Sequence, residues 1–307
     1  MVKVFIDGSA GTTGLRINER LSDREDIELL KISEKLRKDN GARKDMINEA
    51  DIVFLCLPDD AAIEAASFVN KDNDHTVIID TSTAHRVNDA WAYGFPELTG
   101  LREKIKNSQL IANPGCHASG FISLVAPLVE AKIIPKQAEL SCFSLTGYSG
   151  GGKKMIAEYE SEGRNPLLDG PRQYGISQSH KHLPEMKKTC GLENSPVFCP
   201  IVADFYAGME VTVPLFHCDI DAIKAVYKEY YSQGNVFFNE NADENGYMSA
   251  AAYAGRDDME ISVQGNNERV LLVSRFDNLG KGASGAAIQN MNIVLGIDEG
   301  TGLTIMK

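Results

Sequence analysis

The residues with the clearest capacity for chemistry lie in the segment Asn113-Pro114-Gly115-Cys116-His117-Ala118-Ser119. One cysteine follows a Pro-Gly turn and begins an uncharged apolar run to Leu128, a pattern that predicts a buried helix. A helix N-terminus carries about half a positive charge, which favours an anion and lowers the pKa of a cysteine. We therefore expect Cys116 to be a nucleophile, and a small buried cysteine at a helix cap is the alternative.

Two histidines and a carboxylate supply partners for such a thiol. The segment His180-Lys181-His182-Leu183-Pro184-Glu185 spaces the histidines two residues apart, and Glu185 lies three residues beyond His182. If a helix begins near Leu183 or Pro184, Glu185 lies in its first turn and can orient an imidazole for proton transfer. Surface histidines and a zinc site are the alternatives. We predict no metal, because zinc needs at least one more ligand than this stretch contains.

A glycine-rich loop near the beginning of the sequence predicts a dinucleotide site. Gly8-Ser9-Ala10-Gly11-Thr12-Thr13-Gly14 joins a strand pattern to a helix pattern, where a Rossmann domain holds a pyrophosphate on backbone N–H groups. The spacing is GxxGxxG rather than GxGxxG, so an ordinary glycine-rich turn is the alternative. The predicted cofactor contacts here are Gly8, Ser9, Gly11, Thr12, Thr13 and Gly14.

A second loop bears on the choice between NAD and NADP. Ser33, Lys35 and Arg37 follow the second predicted strand, and their hydroxyl and basic groups suit the additional phosphate of NADP. Glu34 keeps NAD open, and a solvated charged loop is the alternative. We expect NADP as the cofactor.

Three more loops follow predicted strands, at the edge where parallel sheets bind ligands. Arg86 is expected to bind a carboxylate or phosphate bidentately, with a surface ion pair as the alternative. Ser149 and Gly150 are expected to contact the substrate, with a flexible glycine-rich loop as the alternative. The three loops are Asp80 to Arg86, Tyr93 to Glu97 and Thr146 to Lys154.

The elements that must position these residues fall into two groups. Continuous apolar strands alternate with helices in the first half, which predicts a parallel sheet covered on both faces. After residue 138 the strands come with few short helices, which predicts a mixed or antiparallel sheet in a second domain. The predicted strands cover 2–7, 27–33, 51–57, 76–80, 109–112, 138–145, 197–204, 209–216, 259–263 and 269–276, and the predicted helices 12–21, 44–49, 60–69 and 282–295.

The fold class is therefore α/β, with an N-terminal Rossmann dinucleotide-binding domain and an α+β second domain that has a mixed sheet. We expect residues 1–115 and a C-terminal helix in 280–307 to form the NADP-binding domain. Residues 116–279 are expected to form the second domain, which contains Cys116 and both histidines.

Composition narrows the classes of function. A net charge of −12 argues against a nucleic-acid or anionic-membrane surface, and no apolar run approaches membrane-spanning length. A small molecule is the expected partner. The six cysteines form no CxxC pair and no secretory leader is apparent, which predicts reduced thiols in the cytoplasm.

Taken together and in this order, the motifs resemble those of the N-acetyl-gamma-glutamyl-phosphate reductases, in particular their short form. The resemblance spans nearly the whole chain. Aspartate-semialdehyde dehydrogenases have a related dinucleotide domain and catalytic cysteine, but their motifs around the cysteine and the histidine differ. The segments that carry the resemblance are Gly8 to Gly14, Asp80 to Arg86, Asn113 to Ser119, His180 to Glu185, Ala207 to Thr212 and Asp277 to Gly285.

The resemblance implies NADPH-dependent reduction of N-acetyl-L-glutamyl 5-phosphate to N-acetyl-L-glutamate 5-semialdehyde and phosphate, in arginine biosynthesis. It implies a thioester on Cys116 and an acid/base at His182, oriented by Glu185, with His180 as the second candidate. The backbone N–H of Cys116 and the side chain of Asn113 are expected to stabilise the oxyanion.

The same resemblance places Asn278 at the nicotinamide end of the cofactor and implies a homodimer or homotetramer. It implies that residues 116–279 form the domain for substrate, catalysis and oligomerisation, an α+β catalytic and dimerisation domain. Two other functions remain open at this point. One is aspartate-semialdehyde dehydrogenase, and the other is a non-catalytic NADP-binding regulatory module. A cysteine hydrolase is a weaker alternative, because it gives the glycine loop no role.

Overall fold

A computed structural model of the chain describes residues 1–306. The chain divides into two compact units. The first consists of Met1–Pro114 and Ala283–Leu303, and the second consists of Gly115–Gly282 and residues 304–306.

Each unit is built around its own sheet. The strands are β1 (Val2–Asp7), β2 (Ile27–Leu30), β3 (Ile52–Leu55), β4 (Val77–Asp80), β5 (Ala92–Tyr93), β6 (Leu110–Ala112), β7 (Ser141–Gly147), β8 (Arg172–Gln173), β9 (Val197–Ala203), β10 (Met209–Phe216), β11 (Val236–Phe238), β12 (Met259–Asn266) and β13 (Arg269–Phe276). The α-helices are α1 (Thr12–Ser22), α2 (Asn40–Glu49), α3 (Asp59–Ala66), α4 (Leu101–Lys106), α5 (Cys116–Glu130), α6 (Gly152–Glu160), α7 (Leu183–Cys190), α8 (Ile220–Tyr230) and α9 (Gly285–Val294).

The first unit contains a six-stranded sheet in the order β2-β1-β3-β4-β6-β5, with every pair parallel. Its two faces are covered by different helices, because successive residues of a strand point to opposite faces. Phe54 packs with Ile17 of α1 and Ile288 of α9, whereas Val53 packs with Ile47 of α2. The predicted Rossmann-type sheet is confirmed.

Several element boundaries in the first unit differ from the sequence prediction, and three of these differences have a clear local cause. β2 ends at Leu30 rather than residue 33, because it lies at the edge of the sheet and its pairing with β1 stops there. α2 begins at Asn40 rather than residue 44, because the Asp39 side chain accepts a hydrogen bond from the Ala42 N–H at 2.8 Å and caps the helix. α9 begins at Gly285 rather than residue 282, because Gly280–Ser284 forms a π-helical turn first.

The second unit contains a seven-stranded mixed sheet in the order β11-β12-β13-β10-β7-β9-β8. Its central pairs are antiparallel, while β7 with β9 and β11 with β12 are parallel. α5 packs on β10 and β13, with α7 and α8 beside it. This contact is close, since a Cβ at Gly120 would lie 2.4 Å from Cγ2 of Val211. The prediction of a mixed sheet is confirmed.

The face of this sheet away from α5 carries exposed apolar side chains. Phe143, Val197 and Leu271 are exposed by 46%, 57% and 43%. They alternate along their strands with buried residues such as Ser144, which face the helices. Across residues 1–306, no helix combines the length and apolarity that crossing a membrane requires.

Candidate active site

Cys116 is the first residue of α5 and is half-buried. Gly115 caps the helix in an extended conformation without a side-chain hydrogen bond, and no acidic residue occupies the first turn. The first N–H groups of an α-helix have no partner within the helix and carry its positive end. The fold therefore puts the thiol where an anion is favoured.

The backbone of Gly282 forms one wall around this cysteine. A Cβ built on Gly282 would lie 2.9 Å from the Cβ of Cys116 and 3.2 Å from both the Asp277 carbonyl oxygen and Cε2 of Phe276. The 2.9 Å approach is closer than real Cβ atoms come to other atoms, and the two 3.2 Å approaches are tighter than most contacts. Gly282 is therefore required for the observed placement of Cys116.

Glu185 joins α7 to the residue before the nucleophile. Its side chain is 1% exposed, lies in the first turn of α7, and accepts a hydrogen bond from the Gly115 N–H at 2.9 Å. α7 begins at Leu183 with a proline in its first turn, as the sequence predicted. The proposed role of Glu185 in orienting an imidazole stays a prediction, and the structure adds its contact with the helix cap.

Three histidines, one of them in α5 itself, gather at the N-terminal end of this helix. The ring centroids of His180 and His182 are 4.8 Å apart, and that of His117 lies 6.0 and 5.6 Å from them. The His182 N–H donates to Nδ1 of His180 at 3.2 Å. Burial, and then the neighbouring charge of Lys181, lower the pKa of His180. The structure thus brings both predicted histidines to the helix that begins with Cys116.

Sequence reasoning missed two members of this cluster, His117 and Tyr174. His117 is 3% exposed, and its Nδ1 lies 2.6 Å from Oγ of Ser144 while its Nε2 lies 2.5 Å from the Tyr174 hydroxyl. Its position next to Cys116 was a signal that could have been used. Tyr174 follows the two-residue strand β8 and carries no local signal.

Ser149 and Asn278 are paired in the second unit. The Asn278 side chain donates to Oγ of Ser149 at 3.0 Å and accepts from the Gly208 N–H at 2.9 Å. Both residues are 1% exposed, and Gly150, in the same 3₁₀ turn as Ser149, is exposed. Asn278 therefore braces the loop after β7, and its expected cofactor contact stays a prediction.

The glycine loop of the first unit forms a backbone cradle. Gly8 has φ +89°, and a Cβ there would lie 2.2 Å from the Cys56 carbonyl oxygen. A Cβ on Gly14 would lie 2.6 Å from the Gly8 carbonyl oxygen. Gly11 caps α1 without a side-chain bond, and the helix has no acidic residue in its first turn. Such a bare helix N-terminus after a parallel strand is suited to a phosphate group.

Ser33, Lys35 and Arg37 lie together on an exposed loop after β2. Arg37 forms an ion pair with Glu34 at 2.9 Å, in which Glu34 is 81% exposed. A pair this exposed is weak, so it does not hold the Arg37 side chain in one position. The loop also remains basic overall. Thr12 and Thr13 are half-buried in the first turn of α1, and Ser9 is exposed in the loop before it.

Arg86 and Asn113 both hold backbone groups of the first unit. Nε of Arg86 donates to the Asn113 carbonyl at 2.9 Å, and Nη2 donates to the Thr81 carbonyl at 3.0 Å. The Asn113 side chain donates to the Ala283 carbonyl at 3.0 Å. The substrate contact of Arg86 and the oxyanion contact of Asn113 stay predictions.

The segment before Arg86 contains a buried acid that the sequence did not single out. Asp80 is fully buried, lies 2.6 Å from Nδ1 of His85 and accepts hydrogen bonds from the Ser82 backbone and hydroxyl, each at 2.8 Å. His85 stacks on Trp91 with ring centroids 3.8 Å apart. Within residues 1–306 there is no group of three or more His, Cys, Asp or Glu side chains arranged to hold a metal ion.

Two family models match the sequence. The semialdehyde dehydrogenase NAD binding domain matches residues 3–108, and the semialdehyde dehydrogenase dimerisation domain matches residues 116–278. Together they cover the glycine loop in the first match and Cys116 with the histidines in the second.

Two reductases are similar to this chain over nearly its whole length. N-acetyl-gamma-glutamyl-phosphate reductase 2 of a Nostoc species is 43% identical, over 98% of this chain and 99% of its own. The N-acetyl-gamma-glutamyl-phosphate reductase of Brucella suis is 44% identical, over 96% and 99%.

Solved structures with the same fold are more distant in sequence. Aspartate semialdehyde dehydrogenase II from Vibrio cholerae has a TM-score of 0.72 at 16% identity, over 96% of this chain and 98% of that one. Aspartate semialdehyde dehydrogenase with NADP from Candida albicans has a TM-score of 0.64 at 15% identity, over the same shares. At such identities the likeness concerns the fold alone.

Proposed function

The chain belongs to the N-acetyl-gamma-glutamyl-phosphate reductase family of semialdehyde dehydrogenases, and on that premise we propose that it is an NADP-dependent oxidoreductase of arginine biosynthesis. It reduces N-acetyl-L-glutamyl 5-phosphate to N-acetyl-L-glutamate 5-semialdehyde and releases phosphate. The observation that carries this proposal is the arrangement of Cys116 at the start of α5, with Glu185 on its helix cap and His180 and His182 beside it.

Cys116 acts first, as the nucleophile. Its sulfur attacks the acyl carbon, an S–C bond forms, and the C–O bond to phosphate breaks as phosphate leaves with the electron pair. The N-terminus of α5 favours the thiolate before the attack and the oxyanion during it. A backbone donor in such a position is worth about 3 kcal/mol to an oxyanion.

His182 moves the proton. Its imidazole accepts the proton from Sγ of Cys116 and returns one to the oxygen of the leaving phosphate. It precedes the first turn of α7, where Glu185 lies, and a carboxylate held in this way fixes the tautomer of an imidazole and stabilises its cation. His180 is the second candidate for this role.

The first unit offers the features that NADP needs. Gly8 and Gly14 leave room for a pyrophosphate where any side chain would collide with backbone, and Ser33, Lys35 and Arg37 supply donors for the 2′-phosphate. When bound, NADPH supplies the hydride that reduces the thioester carbonyl. The thiolate of Cys116 then leaves the tetrahedral carbon, and the aldehyde is released.

Three residues, Ser149, Gly150 and Arg86, are proposed to contact the substrate. Oγ of Ser149 accepts from Asn278, so its own proton can be donated to a carboxylate or phosphate oxygen. Gly150 is exposed next to it and lets the substrate approach the backbone. Arg86 supplies a positive charge for the substrate carboxylate or phosphate.

The chain contains a semialdehyde dehydrogenase dimerisation domain, and we propose a homodimer or homotetramer. The apolar outer face of the second sheet, with Phe143, Val197 and Leu271, is the proposed contact. We also propose a cytoplasmic location, because all six cysteines, which lie within residues 1–306, are free thiols.

The test uses the reverse reaction, because acyl phosphates hydrolyse. Purified protein is supplied with N-acetyl-glutamate semialdehyde, phosphate and NADP, and the absorbance of NADPH is followed. Phosphate-dependent NADPH formation, lost in Cys116→Ser, is expected. Activity with aspartate semialdehyde alone would instead make the protein an aspartate-semialdehyde dehydrogenase. No activity with either aldehyde, and labelling of Cys116 no faster than of the other thiols, would support a regulatory module.

A further inference from the structure

We propose that His117 is a positioning residue, which holds the Tyr174 hydroxyl so that its proton is donated towards the reacting group on Cys116. This inference rests on the proposed function, since it assigns Tyr174 as a hydrogen-bond donor to the thiolate and to the oxyanion formed from it. It is carried by the chain of contacts from Ser144 through His117 to Tyr174.

The geometry defines a continuous chain of three groups. Ser144, on β7, is fully buried, with its Oγ 2.6 Å from Nδ1 of His117. On the other side of the ring, Nε2 lies 2.5 Å from the Tyr174 hydroxyl. His117 therefore links a strand, the first turn of α5 and the loop after β8.

The protonation state of His117 limits the direction in which these hydrogen bonds are donated. Burial, with a smaller effect from His180, lowers the pKa of His117 to about 3, so the ring is neutral near pH 7. A neutral imidazole has one N–H donor and one acceptor nitrogen. In one arrangement, Ser144 donates to His117 and His117 donates to Tyr174. In the other, Tyr174 donates to His117 and His117 donates to Ser144.

Ser144 decides between the two directions. Among residues 1–306, its hydroxyl contacts one hydrogen-bonding group only, the His117 ring. If His117 donated to Ser144, the serine proton would be buried without an acceptor, which costs about 1–3 kcal/mol. Ser144 therefore donates to Nδ1, and the Nε2–H of His117 donates to the oxygen of Tyr174.

Because the Tyr174 oxygen accepts from His117, the hydroxyl proton of Tyr174 is not used in these hydrogen bonds and can be donated to another group. Burial raises the pKa of its hydroxyl, so the side chain is protonated near pH 7. Its 2.5 Å contact with Nε2 of His117, the residue after Cys116, holds this donor beside the first turn of α5. Its ring also meets that of His180 at a centroid distance of 6.0 Å. A neutral donor at this place stabilises negative charge on sulfur or on an oxyanion.

The test is a double-mutant cycle with His117→Phe and Tyr174→Phe, read by two measurements. In the reverse assay we expect kcat to fall about tenfold in His117→Phe and about 10- to 100-fold in Tyr174→Phe, with KM for NADP unchanged. The double variant should be no slower than Tyr174→Phe, because His117 acts through Tyr174. The proposal would be overturned if kcat in the double variant fell by the product of the two single reductions, or if kcat in Tyr174→Phe were unchanged.

The second measurement does not depend on the reductase activity. The pH midpoint of iodoacetamide alkylation at Cys116 should rise in both single variants, and by no more in the double variant. His117→Gln is the control, since its amide can accept from Ser144 and donate to Tyr174. It should keep the wild-type midpoint and kcat within about threefold. If wild type lacks reductase activity, the proposed function fails while the midpoints still test the role of His117; unchanged midpoints overturn that role.

Discussion

The carboxylate of Glu185 accepts a hydrogen bond from the backbone N–H of Gly115 at 2.9 Å, so the first turn of α7 is attached to the residue before Cys116. Glu185 is almost completely buried. Its contact fixes the entry of the chain into α5, and therefore the direction in which the first N–H groups of the helix point. A charged acceptor makes a stronger bond to such a donor than a neutral one does.

Glu185→Gln should separate the role of the charge from that of the contact. The amide oxygen can still accept from Gly115, so we expect the fold to persist, while kcat falls about 10- to 100-fold because the imidazolium of His182 loses its counter-charge. Glu185→Ala should also lower the free energy of unfolding by about 1–3 kcal/mol, since the Gly115 N–H is left buried without a partner. Turnover and denaturant unfolding measure these effects. Equal turnover in Glu185→Gln and wild type would refute the electrostatic role.

Gly282→Ala should displace Cys116. The new methyl group would stand 2.9 Å from the Cβ of Cys116, and relieving such a contact costs about 1–3 kcal/mol. We expect kcat and the alkylation rate of Cys116 to fall together by at least tenfold, a size typical of small shifts at a reacting group. Gly170→Ala is the matched control, because a Cβ there meets nothing within 4 Å. Normal alkylation in Gly282→Ala would contradict the prediction.

Gly14→Ala should weaken cofactor binding without affecting the thiol. Its Cβ would lie 2.6 Å from the Gly8 carbonyl oxygen, so the loop must move away from the position that we propose for the pyrophosphate. We expect the Kd for NADPH, measured by fluorescence titration, to rise at least tenfold, with the alkylation rate of Cys116 unchanged. An unaltered Kd would mean that this loop does not hold the cofactor.

Acid should destabilise the protein partly through His117. Its pKa is about 3 in the folded protein and its ordinary value is 6.5, so the unfolded chain binds more protons between these values. Stability contributed by the neutral ring is present above pH 6.5 and is lost as the pH falls towards 3, by up to about 1.4 kcal/mol per pH unit.

The comparison of wild type with His117→Gln between pH 7 and 5 isolates this effect, because most carboxylates are still ionised there. Urea unfolding should show a smaller loss of stability in the variant. Parallel pH dependences would show that His117 takes up no extra proton on unfolding.

Charging the outer face of the second sheet should disperse the oligomer. Phe143 and Leu271 are exposed by 46% and 43%, and a buried contact between two copies cannot accept an unpaired charge. We expect Phe143→Glu to reduce the mass measured by multi-angle light scattering, and Ile176→Glu, at an exposed residue of a loop, to leave it unchanged. An unchanged mass in Phe143→Glu would move the interface elsewhere.

The sequence was most informative where a local pattern corresponds to one structure. β10 and β13 begin and end at the residues that alternation predicted, and the glycine loop lies between β1 and α1 as expected. α2 was placed four residues too late because the capping role of Asp39 was overlooked. The strand expected over 138–145 begins at Ser141, and the apolar pattern cannot say where its partners β9 and β10 stop pairing with it.

By itself, the sequence determined the fold class, the family and the identities of the groups that can react, because glycine spacing, apolar periodicity and a cysteine after a Pro-Gly turn each depend on neighbouring residues. Only the tertiary structure decided which groups meet. Ser144, Tyr174 and Gly282 are brought to the first turn of α5 from a strand, a loop and a turn. Contacts between residues so far apart depend on how the helix packs on the sheet, and no local pattern in the chain encodes them.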